Sequence, residues 1–284
     1  MKKIISASRR TDLVAHFPQW LAGALKRGTA EVRGPSGRAY SVDLRPEAVH
    51  TLVLWSKDFA NLVQDRFDLR RALKPYDQLY FHFTITGLGG TFIEGGVPPA
   101  SSALGQLRAL VSLAGSPRRV SVRFDPVVFW REGGAQRTNL EAFEKVAPAA
   151  AALSIRDVRF SLAQWYGKAV RRSQAARWDF YDPPQEEKFA AVRRLAEIAS
   201  AWDLDLYSCS QNVLAEVAGV RPSACIDGAL LQELHPGREP AALAKDRSQR
   251  RECRCTESVD IGSYGQACPY SCLYCYANPK WKPR

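Results

Sequence analysis

Short apolar runs recur along the chain with helical patterns between them, and this alternation limits the architecture more than any other feature. The runs cover residues 4–8, 51–55, 79–85, 120–124, 158–162 and 204–208. Most are nearly continuous in apolar residues, as strands covered on both faces must be; a half-exposed antiparallel strand would alternate instead. Helical spacing falls over 17–26, 60–73, 101–113 and 185–202. In the last of these, Phe189, Val192, Leu195, Ala199 and Trp202 form one apolar stripe. Asn139 reads as the N-cap of a helix over 140–147 that Pro148 ends or kinks. A hairpin is expected at 30–33 and 38–42, around Gly34-Pro35-Ser36-Gly37. Strands alternating with helices predict an α/β fold with a largely parallel sheet. The length of 284 residues suits a single (β/α) barrel-like domain, complete or partial, since such barrels take about 250 residues. A further strand is expected at 259–263. The organisation predicted is a barrel-like body over 1–224 and a cysteine-rich segment over 225–284 that packs on it.

A hydrophobic content of 46% is enough for a full core. No stretch approaches the roughly 18 apolar residues that span a bilayer. Arg9, Arg10 and Asp12 follow Met1-Lys2-Lys3 too closely for a secretory leader. The expectation is a cytoplasmic protein without a membrane partner. The net charge is +11, and six Arg-Arg pairs occur. Such a surface can attract nucleic acid. The absence of any run of five basic residues fits solvated helix faces equally.

Seven cysteines are present, an odd number, and five of them crowd into residues 253–275. That distribution argues against a disulfide framework and for metal. Cys268, Cys272 and Cys275 stand as C-x3-C-x2-C. Three thiolates can hold three irons of a [4Fe–4S] cube and leave the fourth iron open to a substrate or cofactor. Cys209, Cys225, Cys253 and Cys255 remain. Four thiolates could complete a second iron–sulfur cluster or a tetrahedral zinc site. For Cys209 and Cys225, burial as small apolar side chains competes with ligation; Cys253 and Cys255, flanked by Arg251, Glu252 and Arg254, favour ligation.

In a barrel, functional groups gather at the C-terminal ends of the strands. The ends predicted here carry Arg9 and Arg10, then Lys57, then Arg123 with Asp125, then Gln164. Arg123 and Asp125 share one strand face. They either contact a substrate or form an internal salt bridge. Arg9, Arg10 and Lys57 suit a carboxylate or phosphate. His82, between Phe81 and Phe83, reads as a hydrogen-bonded core histidine. Gly87-x-Gly89-Gly90 is a weak signal for close backbone approach to a ligand.

These residues resemble a bacterial family of unknown function. Its members pair a Ser-x-Ser-Arg-Arg-Thr-Asp stretch, here Ser6–Asp12, with a C-terminal cysteine cluster, here 268–278. Val53-Leu54-Trp55-Ser56-Lys57-Asp58, Arg123-Phe124-Asp125-Pro126 and Glu257-Ser258-Val259-Asp260-Ile261-Gly262 fit the same family. The cluster segment alone resembles radical S-adenosylmethionine enzymes of the photolyase-like branch, which includes spore photoproduct lyase. That resemblance implies a [4Fe–4S] cluster and S-adenosylmethionine, cleaved reductively to a 5′-deoxyadenosyl radical that takes hydrogen from a substrate. It also implies an electron donor such as flavodoxin or ferredoxin. Arg123, Asp125 and Lys57 become the catalytic candidates. Arg9, Arg10, Gln164, Tyr274 and Tyr276 become the cofactor-binding ones, with the tyrosines shielding the cluster or stacking on adenine. Superfamily members carry the triplet near the start of the barrel. Here it follows the strands, so the cluster docks from a C-terminal segment or the order is permuted. The competing expectation is a zinc-stabilised nucleic-acid-binding protein, with Lys280, Trp281, Lys282 and Arg284 in contact with the nucleic acid.

Overall fold

The computed structural model describes residues 1–34, 37–277 and 279–281. Pro35 and Ser36 of the expected hairpin turn, Asn278 of the cysteine motif, and Lys282 and Arg284 of the basic tail lie outside the described residues. At the centre is one eight-stranded sheet with every pairing parallel. Its strands are β1 (Lys3–Ala7), β2 (Val49–Ser56), β3 (Leu79–Thr84), β4 (Val120–Val127), β5 (Asp157–Leu162), β6 (Asp205–Ser208), β7 (Val220–Pro222) and β8 (Val259–Asp260). Their order across the sheet is β7-β6-β5-β4-β3-β2-β1-β8. Each strand up to β7 therefore lies beside its predecessor, and the chain returns to set β8 on the free side of β1, with Ile5 opposite Val259 and Ser6 opposite Asp260. Among the described residues no ladder joins β7 to β8, so the hydrogen-bonded sheet is α/β and parallel but not closed.

The two faces of the sheet have different tasks. Ile5, Leu52, Leu54, Phe81, Phe83, Val122, Phe124, Val158, Phe160 and Leu206 point to the helices and form the main core. Full burial of each such side chain stabilises the fold by on the order of 1.5–3 kcal/mol. The helices that cover this face are α1 (Pro18–Arg27), α2 (Leu107–Ala114), α3 (Phe143–Ala151) and α5 (Gln185–Ala201), represented in the core by Leu21, Leu107, Phe143 and Leu195 among others; α4 (Gly167–Ala175) adds nothing to that core. The boundaries of α1 follow local rules. Pro18 opens it, where no intrahelical N–H is needed, and Gly28 closes it in the left-handed conformation at φ 71°. The opposite face carries Ile4, Val53, Trp55 and Tyr80. It is covered by the returning segment through Cys225, Ile226, Leu231, Leu234, Cys253 and Cys255, in which α6 (Gly228–Leu234) is the only helix among the described residues.

Several local expectations are corrected. The helix expected over 60–73 breaks after Val63, because Asp65, Phe67 and Asp68 take positive φ, and resumes at Leu69. The helix over 101–113 divides into Ala100–Leu104 and α2. Pro148 does not end its helix, which runs on to Ala151. Asn139 stands at the N-cap position, ahead of a 3-10 turn over Leu140–Ala142, but its side chain makes no capping bond. Its side chain accepts from Val128 N–H at 2.9 Å and donates to Thr86 O and Pro126 O, tying the ends of β3 and β4 together. Trp202, placed on the apolar stripe of α5, is 46% exposed, and Ile198 is buried there instead. A second hairpin, Phe129–Glu132 with Ala135–Thr138, turns on Gly133-Gly134, both with positive φ. Among the described residues no helix is long and apolar enough to cross a membrane.

Candidate metal centre

Cys268, Cys272 and Cys275 sit on a segment with no helix or strand of its own among the described residues, so contacts to neighbouring loops must position them. Gly96 N–H donates to Tyr270 O at 3.2 Å, and Leu273 N–H donates to Ile93 O at 3.0 Å. Leu273 is buried among Leu88, Ile93 and Trp178. The Tyr270 ring meets His16 edge-on at 4.1 Å. The Arg172 guanidinium of α4 donates to Cys275 O. The approach at Gly96 is close: a Cβ there would stand 2.9 Å from both Pro269 O and Tyr270 Cα. Gly96→Val is therefore expected to lift the segment, read as faster tryptic cleavage after Lys280 than in the unchanged chain. Equal rates would show that the clash is absorbed elsewhere.

The triplet rests over the loops that follow β1, β2 and β3. Val97, Tyr270 and Cys272 pack as one small cluster with Ala15, Cys268, Tyr274 and Cys275 around it. Burial pushes all three thiols up, Cys268 to about 11. The backbone N–H groups of Tyr270 and Asp12 near Cys268, and of Ala277 near Cys275, oppose this. N–H donors near sulfur are what metal-bound thiolates require around them. Asp12 is itself buried. It accepts from Ala15 N–H, Lys57 N–H and the Ser56 hydroxyl at 2.8–2.9 Å. Burial outweighs these bonds and raises its pKa to about 6.

Beside Cys272 stands Glu94, a residue for which the sequence held only the weak glycine-rich signal of its loop. Glu94 is fully buried. Its Oε1 accepts from Lys57 Nζ at 2.8 Å, from Thr86 Oγ1 at 2.8 Å and from the Tyr274 hydroxyl. Its Oε2 has no partner. A buried carboxylate oxygen without a donor is costly, and a water, an ion or the cationic group of a ligand would satisfy it. Burial alone would lower the Lys57 pKa. Glu94 and the neighbouring Cys272 more than offset it, and the ammonium stands above its ordinary value. An ammonium on a ligand suits Glu94 Oε2, and a carboxylate suits Lys57.

Further into the sheet, Arg123 donates to Asp125, which also accepts from the Ser161 hydroxyl. The Arg123 guanidinium lies 5.1 Å from the Trp55 ring, and its Nε has no partner. The salt bridge expected as one alternative is thus present. His82 Nε2 donates to Cys225 O at 2.6 Å while the ring stacks on Trp55; burial pushes its pKa well down and keeps it neutral. The cis peptide bonds Ala7–Ser8 and Asp125–Pro126 both stand at the ends of strands facing this region.

Arg9 and Arg10 are placed elsewhere. Arg9 lies 3.8 Å from Asp260 and 3.7 Å from Asp246, and Arg10 donates to Gly262 O at 3.0 Å, so both fasten β1 to the stretch around β8. Gln164 accepts from Arg250 and Tyr166 at 2.8 and 2.7 Å, with Tyr276 alongside them and 57% exposed. These form an outer rim, apart from the Glu94 group. Among the described residues, Asp77, His235 and Glu239 are the one trio of metal-type donors within 4.8 Å of one another. Lys2 already bridges its two carboxylates at 3.1 and 3.0 Å. A groove of about 640 Å³ lined by Leu73, Tyr76, Leu113 and Arg119 contains no cysteine.

Residues 4–277 match the family described as a domain of unknown function, DUF1848. The chain belongs to that family. The DUF1848 match runs from β1 to the far side of the triplet, so it takes in Glu94, Lys57, Arg123 and all seven cysteines. No curated protein matches the sequence. Among solved structures, one titled "Crystal structure of D-hydantoinase" is similar with a TM-score of 0.33 and 10% identity, over 84% of this chain and 45% of that one. The chain thus spans less than half of that protein, and a likeness so slight carries no functional argument.

Proposed function

We propose that this DUF1848 protein is an iron–sulfur enzyme of the radical S-adenosylmethionine type. Cys268, Cys272 and Cys275 would hold three irons of a [4Fe–4S] cluster and leave the fourth to the amino acid end of S-adenosylmethionine. The observation that carries this reading is the pairing of Glu94 and Lys57 beside Cys272. The buried Glu94 Oε2 without a donor suits the ligand's ammonium, and Lys57 suits its carboxylate. When bound, the cluster would supply the electron that breaks the cofactor's carbon–sulfur bond, drawn from a flavodoxin or ferredoxin.

The chain's own residues then bind, orient and exclude water. Leu273 and Tyr270 bury the cluster segment, and Tyr274 holds Glu94 in place. Arg123, Asp125, Ser161 and Trp55 line the place for a substrate. The reading takes this as the interior of a (β/α) barrel parted between β7 and β8, whose strand order this sheet shares. The test is electron paramagnetic resonance of the anaerobically reconstituted, reduced chain with and without S-adenosylmethionine. A cubane signal that shifts with the cofactor is expected. A signal indifferent to the cofactor would remove the chemistry, and zinc without iron would remove the cluster as well.

A further inference from the structure

The four cysteines outside the triplet come from separate parts of the chain and meet on the inner face of the sheet. Cys209 directly follows β6, Cys225 lies just beyond β7, and Cys253 and Cys255 lie in the loop before β8. Cys209 Sγ and Cys225 Sγ are 3.3 Å apart. Cys225, Cys253 and Cys255 are buried in one packed cluster, with Cys209 against it. Ile226 N–H points at Cys255 Sγ at 3.3 Å. All four are free thiols, three of them buried and Cys209 half-buried.

Burial as small apolar side chains explains one cysteine in a core, or two. It does not explain four in one packed cluster, drawn from three loops, with two sulfurs 3.3 Å apart and a backbone N–H aimed at a third. Nor does it explain the surrounding charge. The half-buried Arg123 guanidinium is within electrostatic reach of Cys209 and Cys225, and the buried Arg159 is within reach of Cys225. Four metal-bound thiolates carry net negative charge, which these cations complement. The segment that carries three of them has one helix among the described residues and covers Ile4, Val53, Trp55 and Tyr80 of the inner face; a metal would pin it.

We infer that Cys209, Cys225, Cys253 and Cys255 hold a second, closed metal centre, separate from the triplet. With four protein ligands it leaves no open position, so its role is electron transfer or structure rather than substrate binding. No three of these sulfurs lie within 4.8 Å of one another. One zinc ion with Zn–S near 2.3 Å would draw all of them to within about 4 Å. A polynuclear iron–sulfur cluster would accept the wider spacing of the others, while the 3.3 Å Cys209–Cys225 pair would have to open. The position also fits a relay. Arg123 is within electrostatic reach of Cys209 and Cys225, its partner Asp125 is within such reach of Lys57, and Lys57 of Cys272. The substrate region of the proposed function therefore lies between the two cysteine sets. The second centre itself does not depend on that function.

The test uses the full chain with Cys268→Ala, Cys272→Ala and Cys275→Ala, offered iron and sulfide anaerobically and, in a parallel sample, zinc. After gel filtration it is expected to retain about four irons with matching sulfide; about one zinc per chain would equally support the centre and name its metal. Adding Cys253→Ser and Cys255→Ser should abolish retention. A triplet-free chain that keeps its native circular dichroism and retains neither metal overturns the inference. Should that variant fail to fold, the unchanged chain decides. About eight irons, or four irons and one zinc, support two centres, and four irons with no zinc overturn the second. Because the triplet is absent from the first sample, failure there is distinct from failure of the proposed enzyme function.

Discussion

Glu94→Gln is expected to lower the stability of the chain by about 3–5 kcal/mol and to weaken S-adenosylmethionine binding by at least tenfold. The first effect follows from Lys57, whose side chain is only 14% exposed and pairs with Glu94 at 2.8 Å. Removing one member of a buried pair leaves the other charge without its partner. The second follows from losing a charge-assisted hydrogen bond to the ligand, about 1.5–3 kcal/mol. The two effects separate in the double variant Lys57→Met/Glu94→Gln, which removes both charges together. Denaturant midpoints should then recover most of the loss, as expected for contacting residues that couple. Calorimetric titration of the reconstituted protein should show that cofactor binding does not recover. Restored binding in the double variant would mean that the Glu94–Lys57 pair is structural and that the ligand is held elsewhere.

The strands were legible in the sequence because burial on both faces leaves a continuous apolar run, and six of the eight announce themselves this way. β7 did not, being three residues long and ending on a proline. Helix boundaries failed where the backbone leaves the helical region for reasons the apolar period does not record, as at Asp65, Phe67 and Asp68. The triplet was legible because its spacing is local. Glu94 was not, since its meaning lies in Lys57, Thr86 and Tyr274, brought to one carboxylate from different strand ends and from the far end of the chain. The same limit applies to Arg9 and Arg10. Their position after β1 suggested a ligand, and the carboxylate they meet, Asp260, is about 250 residues away.

Asp260 is for that reason the residue whose loss should most damage the join between the two ends of the chain. It accepts from the hydroxyls of Ser6 and Ser8 at 2.9 and 2.7 Å and from the N–H groups of Arg9 and Gly262 at 2.8 and 2.9 Å. Arg9 and Arg10 both lie within 4.0 Å of it. β8 is only two residues long, so its backbone bonds to β1 cannot hold the returning segment alone. Asp260→Ala is expected to cost about 3–5 kcal/mol, since it strands a partly buried arginine pair and several donors at once. The same replacement at Asp43, whose bonds to Arg45 are exposed to water, should leave the urea midpoint where it was. An Asp260 variant as stable as the Asp43 one would mean that β8 is held through α6 and the cysteines instead. The metal content of the two variants tells these apart, because a freed β8 takes Cys253 and Cys255 out of place with it.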